Sequence, residues 1–117
     1  PESSVNARQR QPMLYAVIGR DGPDAPRLRR EHLQAHLDWV VTVMERIRVA
    51  GPLRDAPGGE PRMSLYVLEA ADESAARDFL EGDPYFRQGV WERVDVMALD
   101  AAAGTWVGGA RWRQRSG

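Results

Sequence analysis

Apolar positions recur along the chain with two different spacings. Met13-Leu-Tyr-Ala-Val-Ile18 is an unbroken run of strand formers, followed by Gly19 and the turn residues Asp21-Gly22-Pro23, and it predicts a first strand. From Leu28 to about Ile47 there is no Gly or Pro. Apolar side chains return there every three to five positions, at Leu28, Leu33, Leu37, Val40, Met44 and Ile47, with Trp39 and Val43 beside them. That spacing predicts a long helix with a broad apolar face, and Pro26 suits its start. Gly51-Pro52-Leu53 predicts a short second strand. The segment 55–61, with two Gly and two Pro, predicts a loop, and Met63–Leu68 a third strand. Asp72 suits the N-cap of a second helix that carries Ala75, Ala76, Phe79 and Leu80 and stops at Gly82. Asp83-Pro84-Tyr85 reads as a tight connection, because proline disfavours helix at the residue before it. Val90–Leu99 predicts a fourth strand and Thr105–Val107 a short fifth.

The resulting order, β-α-β-β-α-β, is the split βαβ or ferredoxin-like pattern: an α+β subunit whose antiparallel sheet carries both helices on one face. Two helices cover one face only. Yet the strands are apolar in both phases: Leu14, Ala16 and Ile18 alternate with Tyr15 and Val17, and Leu65 and Val67 with Tyr66 and Leu68. A sheet with one wet face alternates apolar with polar. The second apolar face therefore predicts a second cover, most economically another copy in a sheet-on-sheet homodimer.

A length of 117 residues suits one domain. Residues 1–12 lack periodicity and read as a flexible leader, 13–100 as the folded domain and 101–117 as an extension. No run approaches the length of a membrane span and the first residues have no secretory-signal pattern, so the expected location is cytoplasmic, without a membrane partner. The net charge of −1 hides an asymmetry: the ends, 1–12 and 111–117, carry five Arg and one Glu, while the middle has 11 Arg and 16 acidic residues. An acidic domain argues against nucleic-acid binding. The basic end with Trp106 and Trp112 reads as a frayed terminus in preference to a contact with an anionic partner.

Two absences narrow the chemistry. Without cysteine there is no thiolate nucleophile or Cys-ligated metal, and without lysine, all 16 basic residues being Arg, there is no Schiff base or Walker-type phosphate loop. The candidates for proton transfer are His32 and His36, four apart on one face of the first helix. A lone helical His is more often structural than catalytic. His-x3-His with a carboxylate such as Asp83 also fits a two-His, one-carboxylate metal site, although the spacing is common by chance. Asp83 before a proline is ordinary turn chemistry. Arg29 and Arg30 flank the apolar face of the first helix, where a substrate carboxylate has a place to bind; solvated surface is their plainer role.

Leu14–Ile18, Ala35-His36-Leu37, Ala50-Gly51-Pro52-Leu53, Ser64–Glu69, Asp83-Pro84-Tyr85 and Gly89-Val90 together resemble the YCII family of YciI-like proteins over about residues 13–99. The resemblance implies a dimeric α+β barrel of ferredoxin-like subunits. It also implies a His–Asp pair in a pocket, mapping onto His36 and Asp83. His32 and the segment after Leu99 lie outside the pattern, and Leu33 stands where the family commonly has an Arg. One member is a dehydrochlorinase of a chlorinated hydroxyhydroquinone, so the resemblance points to elimination or isomerisation of a small ring or enolisable substrate.

The leading expectation is a cofactor-independent lyase or isomerase in which His36 moves the proton and Asp83 fixes its tautomer. Tyr85, Trp39 and Trp91 are candidates for an apolar pocket lining, two of the three being expected in the core or an interface. The alternative is a non-catalytic ligand-binding or accessory protein of the same fold, to which Leu33 and the charged ends lend support.

Overall fold

The computed structural model describes residues 13–114; the leader, 1–12, lies outside the described residues. Strand β1 (Met13–Asp21) leads through a Gly22-Pro23 turn to helix α1 (Ala25–Val43), with Pro26 in its first turn. Strands β2 (Ile47–Arg54) and β3 (Pro61–Ala70) follow, joined by the Gly/Pro loop. Helix α2 (Glu73–Leu80) opens on Asp72, whose Oδ1 accepts the Ala75 N–H at 2.8 Å. A short helix α3 (Pro84–Arg87) precedes strand β4 (Trp91–Leu99). The sheet order is β2-β3-β1-β4 with every pair antiparallel, the ferredoxin-like arrangement expected from the order of elements.

Three boundaries differ from expectation. Helix α1 stops at Val43, a single 3-10 turn covers Met44–Arg46, and Ile47 is already in β2, opposite Leu68. The β-branched Ile47 and Val49 are taken by sheet pairing, although Ile47 continues the helical spacing. The proline at 84 blocks helix only at Asp83; with its fixed φ it opens a helix of its own, α3, where a plain turn was expected. Thr105–Val107 is a 3-10 turn and not a strand. The pairing in that region is the two-residue ladder of β5 (Ala103–Gly104) with β6 (Gly109–Ala110), followed by helix α4 (Arg111–Gln114).

The core lies between the sheet and the helices. Tyr15 and Val17, Tyr66 and Leu68, and Val96 point inward from the strands, against Ala76, Phe79 and Leu80 of α2 and Tyr85 of α3. Gly19 leaves room for the indole of Trp91: a Cβ there would sit 2.5 Å from Trp91 Cδ2. The opposite phase of the strands, Leu14, Ala16, Ile18, Leu65 and Val67, is only partly covered by its own neighbours, and Met97 on the same face is 67% exposed. No helix is long and apolar enough to cross a membrane.

Candidate active site

The site is built outward from one turn. The residue before a proline is held extended, and Asp83 has φ −71° and ψ 127°. That geometry folds its side chain back over α3, where Oδ1 accepts the Tyr85 N–H at 2.8 Å as a helix cap. The same fold-back leaves the carboxylate 0% exposed. A buried carboxylate is costly unless its oxygens are satisfied. Here they are. The Tyr66 hydroxyl, from the inward phase of β3, donates to Oδ2, and His36 Nδ1, from α1, lies 2.8 Å from Oδ1 and 3.0 Å from Oδ2.

A carboxylate only accepts, so this contact assigns the proton of the neutral imidazole to Nδ1 and the lone pair to Nε2. The ring is fixed in a second direction by Tyr85, whose ring stacks on it with centroids 4.0 Å apart and planes 2° from parallel. Tyr85 is itself anchored, its hydroxyl donating to the Arg29 carbonyl oxygen at 3.1 Å. Burial first, and then the Asp83 charge, push the Tyr66 hydroxyl far above the ordinary tyrosine range, so it remains a donor. Burial also raises the Tyr85 hydroxyl, with Arg29 opposing the rise.

Behind Tyr85 lies an ion pair. Arg29 Nε and Nη2 donate to Asp21 Oδ2 and Oδ1 at 2.8 and 2.7 Å, and Nη2 also donates to Ser64 Oγ at 2.9 Å. The guanidinium carbon stands 5.5 Å from the Tyr85 ring centroid. The fork is thus occupied by two acceptors and braces the aromatic ring, at a site where a substrate-binding Arg was expected.

His36, Tyr66 and Tyr85 border a cavity of ≈ 490 Å³ between α1 and the β2–β3 edge. Leu33, Leu37 and Val40 of α1 and Pro52 of β2 supply apolar wall, and Arg29, Arg30 and Arg54 supply cationic groups. Leu33, which stands where the family commonly has an Arg, is part of the wall of this cavity.

The structure therefore brings His36, Asp83, Tyr85, Arg29 and Arg30 to one place. Trp39 is elsewhere: it packs on Phe79 at 5.2 Å between centroids and closes against Gly82, where a Cβ would meet its Nε1 at 3.0 Å. Trp91 is also core, in edge contact with Tyr66 and Tyr85. His32 does not join the pair; its nearest acid is the neighbouring Glu31, at 3.8 Å. Among the described residues no three His, Asp or Glu side chains gather as a metal site, so the two-His, one-carboxylate arrangement is not formed.

Tyr66, Ser64 and Asp21 were not anticipated. A signal for the first two existed: strand alternation puts Ser64 and Tyr66 on the face of Leu68, so two hydroxyls were due on the core side. Asp21 reads as turn chemistry, and nothing local ties it to Arg29.

The YCII-related domain profile matches residues 13–100. A solved structure similar to this chain is the 5-chloro-2-hydroxyhydroquinone dehydrochlorinase of Burkholderia phenoliruptrix AC1100 in complex with 2,5-dihydroxybenzoquinone. It superposes with a TM-score of 0.68 at 25% identity, over 80% of this chain and 97% of that one. No curated protein sequence matches.

Proposed function

The chain belongs to the YCII-related domain family, and on that premise we propose that it is a small-molecule enzyme of lyase or isomerase type, with His36 as the proton-transfer group. The observation that carries this is the contact of His36 Nδ1 with the fully buried Asp83 carboxylate, which leaves Nε2 as the basic nitrogen of a cavity-lining ring. The similar dehydrochlorinase supports the class of reaction.

In this reading Nε2 takes a proton from an acidic carbon or hydroxyl of a ring substrate. The electron pair left behind forms a double bond. In elimination a halide departs with its own bonding pair. In isomerisation the imidazolium returns the proton to a different atom of the same molecule. Asp83 stabilises the imidazolium while it exists, and its bonds to Tyr66 and the Tyr85 N–H keep it in place. General acid–base catalysis of this kind contributes about 10²–10⁴-fold in rate. The proposal includes a second copy of the chain over the open sheet face, because Met97 and Leu99 otherwise stand in water.

The test is turnover of chlorinated hydroxyhydroquinones and enolisable ring compounds in D2O, followed by halide release and deuterium incorporation. His36→Gln is expected to lower the rate by about 10²-fold or more with the fold unchanged. Wild-type rates in His36→Gln would remove the proposal. A binding-only role is favoured by the apolar Leu33 in the cavity wall, and predicts saturable ligand binding with no exchange.

A further inference from the structure

The charge around the cavity is uneven in a way the proton-transfer pair does not use. Arg29 is balanced by Asp21. Arg30 and Arg54 also line the cavity, and neither has an acidic partner. Among the described residues the Arg30 side chain makes no hydrogen bond or ion pair, and the Arg54 side chain donates only to the Gly59 carbonyl oxygen, which holds it in place without neutralising it. Elsewhere Arg20, Arg27, Arg48, Arg62 and Arg93 pair with carboxylates, while Arg46, Arg77 and Arg87 donate to backbone carbonyls. Glu60 is the one acid in the lining. Two guanidiniums and one carboxylate, all three exposed, leave a single net positive charge among these lining groups. Leu33, Leu37, Val40 and Pro52 supply apolar wall, and Tyr66 and Tyr85 are buried with His36 partly so.

We propose that the site takes a monoanionic substrate, a carboxylate carried on a ring or compact apolar body. Arg30 and Arg54 hold the carboxylate, and the ring lies along the apolar wall toward His36 Nε2. An Arg fork matches a carboxylate in two parallel hydrogen bonds. One net positive charge matches one negative charge and is a poor match for a phosphate dianion beside Glu60. This deepens the reading of the same site: the substrate's reacting end rests on the proton-transfer proposal, and the carboxylate end does not.

Benzoate, benzamide and phenyl phosphate are suitable probes, because they share a ring and differ in charge. Their binding to the full chain is followed by proton–nitrogen NMR in wild type, Arg30→Gln, Arg54→Gln and His36→Gln. Benzoate is expected to bind at least about tenfold more tightly than benzamide, the scale of a charge-assisted hydrogen bond. Each Arg variant should weaken benzoate about three- to tenfold and leave benzamide unchanged. His36→Gln should retain benzoate. Equal affinity for benzoate and benzamide, no benzoate binding, tighter binding of phenyl phosphate, or benzoate binding lost in His36→Gln but kept in both Arg variants would each overturn the proposal. If benzoate behaves as expected while His36→Gln keeps wild-type turnover, the carboxylate subsite stands and the proton-transfer reading falls.

Discussion

Tyr66 donates its hydroxyl to Asp83, and the two side chains are 2% and 0% exposed. They are 17 residues apart in sequence. Antiparallel pairing places Tyr66 between Val17 and Ala50, with its ring on the helix side of the sheet, and the proline-directed turn sends Asp83 back toward it. One buried carboxylate thereby joins three elements: β3 through Tyr66, α3 through the Tyr85 N–H, and α1 through His36.

Removing the Tyr66 hydroxyl tests that junction. Tyr66→Phe is expected to cost about 1–3 kcal/mol, the loss of one donor to a buried charge, read from urea unfolding at pH 7. The pH dependence has a definite sign. The folded tyrosine holds its proton more tightly than the unfolded one. Its contribution is therefore complete below the unfolded value of about 10 and declines as pH rises above it. Unfolding midpoints from pH 8 to 11 should fall in wild type and fall less in Tyr66→Phe.

Arg29→Gln is expected to cost about 3 kcal/mol or more, because it leaves the nearly buried Asp21 without its cation. Thermal unfolding measures this. A loss of only a few tenths would show that the pair behaves as a surface contact.

Gly19→Ala places a methyl group where the Trp91 indole packs. Overpacking at such a site costs about 1–3 kcal/mol, and the near-ultraviolet circular dichroism of Trp91 should change with it. An unchanged melting temperature would contradict this account of the core.

The open face of the sheet predicts association. Met97→Glu sets a charge beside Ala16 and Val67 on the open face, and should convert a dimer to a monomer of retained secondary structure. Sedimentation of the two proteins reads this directly; a wild-type monomer at high micromolar concentration would contradict it.

The architecture was legible because the strands read as short unbroken runs of strand formers and the first helix as apolar returns every three to five residues. Met13–Ile18 and Met63–Leu68 needed only a few residues added at their ends to become β1 and β3, and Asp72 caps α2 as its residue type suggests. The end of α1 was not legible, because Ile47 fits the helical spacing and its place in β2 depends on a partner in β3. The same separation of local from distant information holds at the site. His36 and Asp83 stood out through the resemblance of the ordered motifs, whereas Tyr66, Ser64 and Asp21 take their roles from sheet register and from α1 crossing it. Trp39 has the composition of a pocket residue, but its position on α1 directs it to Phe79 and Gly82.

Asp83 fixes the His36 imidazole with its proton on Nδ1 and its base at Nε2. Nitrogen NMR of the neutral ring reads this directly, with His32 as an internal control. In wild type His36 should show a protonated Nδ1 and a pyridine-type Nε2. In Asp83→Asn the amide offers Nδ1 a donor as well as an acceptor, so the fixed tautomer should give way to a mixture while His32 is unchanged. A His36 ring protonated mainly at Nε2 in wild type, or one indifferent to Asp83→Asn, would contradict it.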